Sequence, residues 1–162
     1  MKKNVSINSF TKEELHKYVL DLGEKKYRAK QLWKWLYVNG AKSFNEMSDI
    51  GLKLQEKLYS DLLYSRLQTD QHQVSKDGTQ KWLFKLTDDK KIETVFIPES
   101  DRGTLCISSQ VGCTLSCSFC HTGTMPLVRN LSSNEIIGQI LAAKDSLLDW
   151  DIKNRKITNI VF

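Results

Sequence analysis

All four cysteines of this 162-residue chain lie within fifteen positions, and three of them form a C-x3-C-x2-C run. These three are Cys113, Cys117 and Cys120, while Cys106 stands seven positions upstream of the run. Three closely spaced thiolates can bind three irons of a 4Fe–4S cluster and leave the fourth iron open for chemistry. The run therefore predicts a catalytic iron–sulfur site, and Cys106 needs an explanation of its own.

Zinc is the competing metal for these cysteines. A structural zinc site usually has four cysteine or histidine ligands. The candidates for a fourth ligand are Cys106 and His121, but His121 directly follows Cys120 and is poorly placed to reach the same ion. A zinc site and a set of unrelated buried cysteines both stay open as alternatives.

The composition is that of an ordinary globular protein. Hydrophobic residues make up 40% of the chain, and the net charge is +5. The sequence has neither an apolar run long enough to cross a membrane nor the pattern of a signal peptide. We therefore expect a cytoplasmic protein, in which clustered cysteines bind metal or catalyse rather than form structural disulfides. The positive charge favours an anionic partner such as RNA.

Basic residues are concentrated in one stretch of the N-terminal half, with Tyr27, Trp33 and Trp35 interleaved. This mixture suits a phosphate backbone with stacked bases. A solvated helix face with the tryptophans in the core explains the same pattern. The candidate RNA-binding residues are Lys25, Lys26, Arg28, Lys30 and Lys34.

Apolar residues at helical spacing predict three helices in the first 66 residues. Thr11, followed by acidic residues, marks the start of the first helix, and Gly23 marks its end. Ser48 or Asp49 is expected to cap the third. The predicted helices run from Ser9 to Leu22, from Arg28 to Val38, and from the Ser48-Asp49 cap to Leu63.

The pattern changes to β-type alternation between Leu67 and Ile97. Asp77-Gly78 is a hairpin signal, and a second turn is predicted at Asp88-Asp89-Lys90. The strands around this second turn are predicted at Lys81–Leu86 and Ile92–Ile97. In the latter, Glu93 shares a face with Val95 and Ile97. A carboxylate in that position belongs either to an exposed strand edge or to a site.

A βαβ unit is predicted around the cysteine loop. Thr104–Ser109 forms a strand, Ser132 and Glu135 open a helix with capping-box spacing, and residues 156–162 form a parallel strand. One such unit cannot bury both faces of its sheet, so we expect it to need a continuation or a partner. The predicted fold class is α/β. Its parts are a helical accessory RNA-binding domain (1–66), a β-hairpin connecting segment (67–98) and the start of an incomplete core (99–162).

Cys113–Cys120, with the aromatic Phe119 before the last cysteine, resembles the cluster motif of radical S-adenosylmethionine (SAM) enzymes. Nearly the whole chain is similar to the RlmN/Cfr family, and more to its RlmN branch. This resemblance makes the core the first part of a partial (β/α) barrel. The segments that carry it are Leu22–Lys25, Tyr27–Trp33, Ser43–Met47, Ile92–Glu99, Thr104–Cys113, Arg129–Leu131 and Glu135–Gln139.

The resemblance implies a radical methyltransferase that acts on C2 of adenosine in 23S rRNA and in tRNA beside the anticodon. C2 of adenine has no acidic proton, and the family therefore uses a 5′-deoxyadenosyl radical to activate a methyl group carried on a protein cysteine. The implied cofactors are a 4Fe–4S cluster and SAM. The implied partners are the two RNAs and a flavodoxin-type electron donor, and the implied state is a monomer.

The resemblance also assigns roles to individual residues. It makes Glu93 the proton acceptor and Cys106 the cysteine that resolves the RNA adduct through a transient disulfide. Cys113, Cys117 and Cys120 bind the cluster, and Phe119 packs against the SAM adenine. The family's methyl-carrying cysteine lies near its C-terminus, whereas no cysteine follows Cys120 here. We therefore expect a truncated enzyme that is inactive alone. The alternatives are a non-catalytic RNA-binding module with a vestigial barrel and a structural metal protein.

Overall fold

The structure is a computed structural model that describes residues 5–114 and 124–162. The chain forms two compact units, one up to Arg66 and one over Leu67–Phe162, and the mixture of helices and strands confirms the predicted α/β class. The described helices are α1 (Lys12–Asp21), α2 (Tyr27–Tyr37), α3 (Leu52–Asp61) and α4 (Ser133–Leu147). The described strands are β1 (Gln68–Val74), β2 (Gln80–Lys85), β3 (Lys91–Pro98), β4 (Gly103–Ile107), β5 (Gln110–Val111), β6 (Arg129–Asn130) and β7 (Asn159–Val161).

The first unit contains the three predicted helices, each somewhat shorter than or shifted from its prediction. Helix α1 begins at a capping box, in which the Thr11 hydroxyl accepts from the Glu14 amide and the Glu14 carboxylate accepts from the Thr11 amide. Gly23 follows the helix with a φ of +76°, the left-handed conformation expected of a C-terminal glycine. The predicted signals at both ends of this helix are confirmed.

The predicted start of the third helix is wrong. Gly51 is the N-cap of α3, without a side-chain cap. The carboxylate of Asp49 instead accepts hydrogen bonds from the Trp35 indole (2.5 Å) and the Gln31 amide (2.9 Å). Because these bonds tie the loop before α3 to helix α2, the side chain of Asp49 is unavailable to cap α3.

The apolar faces of α1, α2 and α3 form one core. The segment before α1 joins this core, since the Ile7 amide donates to the carbonyl of Leu63 at 3.0 Å and Ile7 is buried. The largest fully buried side chains of the unit are Phe44, Ile7, Leu15, Leu32, Leu36, Met47, Leu58 and Val19.

The second unit is organised around a five-stranded sheet with the order β1-β2-β3-β4-β7. The first three pairings are antiparallel, and β4 pairs with β7 in parallel. Both predicted turns are present, and each contains a residue with positive φ, Gly78 (+86°) and Asp89 (+63°). The parallel pair with α4 between its strands confirms the predicted βαβ unit.

One face of the sheet packs on α4. Residues of β2, β3 and β4 alternate between buried and more exposed positions, as expected for strands with one covered face. Trp82, Phe84 and Leu105 are buried with Ala143 and Leu147 of α4. Strands from residues 67–98 and from residues 99–162 thus belong to one sheet. The roles predicted separately for 1–66, 67–98 and 99–162 stay predictions.

Among the residues described, no helix is long and apolar enough to span a membrane.

Candidate active site

Glu93 and Cys106 lie on the same face of the sheet, opposite to α4. Val95 of β3 is paired with Cys106 of β4, so their side chains point to the same side, and Glu93 is on that side two residues before Val95. Glu93 is therefore a diagonal neighbour of Cys106, a relationship that places side chains on the order of 7–8 Å apart. The predicted proton acceptor and the predicted resolving cysteine come together, although they are thirteen positions apart in the sequence.

Glu93 belongs to a central strand. Strand β3 has β2 on one side and β4 on the other, so the interpretation of Glu93 as an edge residue does not hold. Its side chain is 51% exposed, and Glu93 Oε1 lies 3.1 Å from Nζ of Lys81 on β2. An accessible carboxylate with a cationic neighbour can accept a proton from a group that approaches this face.

Cys113 lies at the base of the cysteine loop, where the two ends of the loop are joined. The Cys113 amide donates to the carbonyl of Met125 at 3.1 Å, and the Val128 amide donates to the carbonyl of Val111 at 2.8 Å. Strands β5 and β6 continue this pairing below the loop. The ladder fixes the backbone of the first cysteine of the run, while its side chain is half-buried.

Gly112 permits this close approach. Its φ is +78°, and a Cβ atom there would collide with the carbonyl oxygen of Pro126. Any other residue would both strain the backbone and clash with the opposite side of the loop. The glycine directly before Cys113 is therefore required by the geometry of the loop base.

The other predicted ligands lie outside the described residues. These are Cys117 and Cys120, together with Phe119, the residue expected to pack on the SAM adenine. No disulfide joins Cys106 to Cys113, the two cysteines within the described part of the chain. No group of three or more potential metal ligands occurs among the described residues. Two of the three predicted cluster ligands, Cys117 and Cys120, are not among these residues.

Arg129 connects the far end of the cysteine loop to the start of α4. Its guanidinium donates to both carboxylate oxygens of Glu135 at 2.8 and 2.9 Å, and to Asp88 at 2.9 Å. The hydrogen bonds from Arg129 hold the pKa of Glu135 below its usual range. Glu135 also accepts from the Ser132 amide, which confirms the predicted capping box. The Glu135 carboxylate thus holds the start of α4 against β6, the strand that follows the cysteine loop.

Gln139 is a buried polar residue of α4 to which the sequence pattern gave no role. Its side chain is 0% exposed and makes hydrogen bonds to Thr94 of β3 and to the backbone of Ser108. The available signal was a glutamine among the apolar positions of the helix. Burial of a glutamine costs free energy unless its side-chain amide is hydrogen-bonded.

The basic residues of α2 and of the segment just before it differ in their surroundings. The guanidinium of Arg28 donates to Gln31 at 2.9 Å and to the carbonyl of Asp49 at 2.7 Å, so it supports the helical unit itself. Trp33 and Trp35 are half-buried and pack against the core of this unit. The remaining candidates for RNA contact are exposed, namely Lys25, Lys26, Lys30 and Lys34.

Comparison with known proteins gives consistent matches over the chain. Residues 5–63 match the family described as the ribosomal RNA large subunit methyltransferase N-terminal domain. The relative named dual-specificity RNA methyltransferase RlmN from Rhodospirillum rubrum is 47% identical over 160 residues, which are 97% of this chain and 37% of the relative. The protein of the same name from Magnetococcus marinus is 49% identical over 158 residues, 97% of this chain and 44% of the relative.

A solved structure is similar over nearly the whole chain. The crystal structure of a radical SAM methyltransferase from Sphaerobacter thermophilus superposes with a TM-score of 0.86 and 35% sequence identity. The match covers 98% of this chain and 46% of that protein. The chain thus spans less than half the length of these relatives.

Proposed function

We propose that this chain, which belongs to the RlmN family of RNA methyltransferases, supplies the cluster ligands, the proton acceptor and the resolving cysteine of a radical SAM enzyme. The proposed reaction is methylation of C2 of adenosine in 23S rRNA and in tRNA next to the anticodon. One observation carries the proposal. Glu93 and Cys106 share a partly exposed face of the sheet, and β4 leads from Cys106 toward Cys113 at the base of the cysteine loop.

The thiolates of Cys113, Cys117 and Cys120 are the proposed ligands of a 4Fe–4S cluster. The loop base fits this task, because the backbone of Cys113 is fixed and its side chain is not fully buried. When bound, the cluster and SAM supply a radical that can activate a methyl group. Phe119 is proposed to pack against the adenine of SAM.

Glu93 is the proposed acceptor of the proton that adenine C2 loses. Its carboxylate is accessible, and the ion pair with Lys81 restrains its position. Proton transfer requires the acceptor within hydrogen-bond reach of the reacting group, so the exposed face is where the adenine has to lie.

Cys106 is the proposed resolving residue. Its thiolate attacks the sulfur of the methyl-carrying cysteine, so that a sulfur–sulfur bond forms and the carbon–sulfur bond of the RNA adduct breaks. The electron pair of that bond stays with the departing carbon, which takes up a proton to become the methyl group. The methyl carrier is expected in the part of the family that this chain does not span.

Exposed lysines of the first unit are proposed to contact RNA phosphates. Lys25, Lys26, Lys30 and Lys34 provide positive charge on and before α2, whereas Arg28 serves mainly to hold α2 to the Asp49 loop. A flavodoxin-type electron donor, a monomeric state and a cytoplasmic location complete the proposal.

Anaerobic reconstitution of the chain with iron and sulfide tests the cluster. We expect a brown protein with about four irons, as for a 4Fe–4S cluster. Cys117→Ala should abolish iron binding, and Cys106→Ala is the matched control that should retain it. Stoichiometric zinc without iron would contradict the proposal, and RNA binding without iron would favour a non-catalytic RNA-binding module.

Catalysis is tested in a chimera, in which this chain replaces the matching stretch of the R. rubrum relative. The measured product is C2-methyladenosine in RNA substrates. We expect the chimera to form product and the isolated chain to form none. A chimera that folds and binds iron but makes no product would contradict the proposed reaction.

A further inference from the structure

We propose that Gln139 is a positioning residue that fixes the Ser108 peptide, and with it the placement of Glu93 and Cys106 relative to Cys113. The inference rests on the proposed function for the roles of these three residues. The hydrogen-bond network itself is independent of the cluster.

The amide of Gln139 binds both backbone groups of Ser108. Gln139 Oε1 accepts from the Ser108 amide at 2.8 Å, and Nε2 donates to the Ser108 carbonyl at 2.9 Å. Oε1 also accepts from the buried hydroxyl of Thr94 at 2.9 Å. The Gln139 side chain therefore joins α4 to β3 and to the residue after β4.

Ser108 lies between Cys106 and Cys113 in the sequence and contacts Glu93. It is two residues after Cys106 and five before Cys113 in the sequence. Its hydroxyl donates to the carbonyl of Glu93 at 2.8 Å. The orientation of Ser108 thus affects the placement of β3, which carries Glu93. It also affects Cys106 and the backbone that leads to Cys113.

Packing alone does not explain a glutamine at this position. Burying a polar amide costs free energy unless its groups are hydrogen-bonded, and an apolar side chain of similar size would fill the space without that cost. A side-chain amide carries its acceptor and its donor on separate atoms of one planar group, so Oε1 can accept from the Ser108 N–H group while Nε2 donates to the Ser108 C=O group. Asparagine carries the same groups but is shorter by one methylene, about 1.5 Å. The length and chemistry of Gln139 therefore match the task of fixing a peptide.

Hydrogen exchange of the 162-residue chain tests the positioning role. Gln139→Met keeps the volume and removes both bonds to Ser108, and the matched control Thr94→Val removes only the bond from the Thr94 hydroxyl. We expect Gln139→Met to accelerate exchange of the Ser108 amide at least about tenfold, and Thr94→Val to change it less than about twofold. Equal exchange rates in the two variants would overturn the proposal. If Gln139→Met does not fold, Gln139→Asn retains a polar amide and is expected to show the same acceleration.

The second readout is the coupling of radical formation to methylation in the R. rubrum chimera. A loss of stability alone lowers the yields of 5′-deoxyadenosine and of methylated adenosine together. Misplacement of Glu93 and Cys106 instead raises the ratio of 5′-deoxyadenosine to methylated product, by about tenfold or more for Gln139→Met and not for Thr94→Val. An unchanged ratio in Gln139→Met would overturn the proposal. A parent chimera without product would count against the proposed function, while hydrogen exchange would still decide the role of Gln139.

Discussion

Val95 lies directly opposite Cys106 in the β3–β4 ladder, and this pairing turns the thiol of Cys106 away from the core under α4. A slip of one residue would exchange the two faces and bury the cysteine. The register of two antiparallel strands thus decides whether Cys106 can take part in chemistry.

Cys106 should react with an alkylating reagent in the folded, cluster-free chain. Its side chain is half-buried, whereas the side chain of Ala143 is fully buried on the other face of the sheet. Ala143→Cys therefore provides a matched buried thiol. Peptide mapping after a short treatment with iodoacetamide should find Cys106 modified and the introduced thiol protected. Equal protection of both thiols would contradict the assigned register.

Gly112→Ala should disrupt the base of the cysteine loop. The substitution places a Cβ atom against the carbonyl of Pro126 and forces an alanine into a positive φ, which alone costs about 1–2 kcal/mol. Gly23→Ala is the control, because Gly23 has a similar φ but a Cβ atom there would have no neighbouring atom within 4 Å. Thermal unfolding should show the backbone cost in both variants, and iron incorporation should fail only in Gly112→Ala. Full iron incorporation in Gly112→Ala would contradict the required close approach.

Glu135 should make the second unit sensitive to acid. Because Arg129 lowers the pKa of Glu135 in the folded chain, its stabilising contribution is complete above the unfolded pKa, about 4.3. That contribution is lost as the pH falls through the lower folded value. Glu135→Gln should reduce the free energy of unfolding by about 1–2 kcal/mol near pH 7, and the difference from the parent should shrink below about pH 4.

Glu99→Gln is the control for this acid response. Glu99 also pairs with an arginine, Arg102, but this pair is exposed, where solvent screens the interaction. Urea unfolding at several pH values should show a smaller change for Glu99→Gln than for Glu135→Gln. A difference between Glu135→Gln and the parent that does not shrink as the pH falls below the unfolded pKa would contradict the assigned ion pair.

Replacing both Lys30 and Lys34 by alanine should weaken RNA binding and reduce its salt dependence. Each lost phosphate contact lowers the slope of log K against log salt by about 0.7 for single strands. Lys57→Ala is the control, since Lys57 is paired with Asp61 at 2.9 Å on α3. Fluorescence anisotropy with an RNA oligonucleotide at several salt concentrations measures both quantities. An unchanged slope in the double variant would contradict the proposed contact surface.

Local sequence signals predicted much of the fold. The N-cap of α1, the capping box of α4, the Asp77-Gly78 turn and the βαβ unit depend on neighbouring residues or on short-range periodicity, and all are present. The position of Glu93 on a central strand depends on which strands pair, and no local pattern specifies that. The role of Asp49 was predicted wrongly for the same reason, because its partners Gln31 and Trp35 come from another helix.

For the proposed site, the cysteine spacing and the family resemblance suggested the residues, whose roles stay predictions. Alternation along β3 correctly gave the face of Glu93. The sequence did not show that Gln139 and Ser108 meet, since they are 31 positions apart, with the whole cysteine loop and the start of α4 between them. Long-range hydrogen bonds of this kind become visible only when the strands and the helix are packed.

The most direct test of the proposed chemistry is the fate of RNA in the R. rubrum chimera with Cys106→Ala. This variant keeps the proposed cluster ligands and the proton acceptor but lacks the thiol that forms the resolving disulfide. Denaturing gel electrophoresis with labelled RNA should show a covalent RNA–protein adduct that accumulates without release of C2-methyladenosine. Cys117→Ala should give neither adduct nor product. Turnover of the Cys106→Ala chimera at the parent rate, without an adduct, would contradict the assignment of Cys106 to the site.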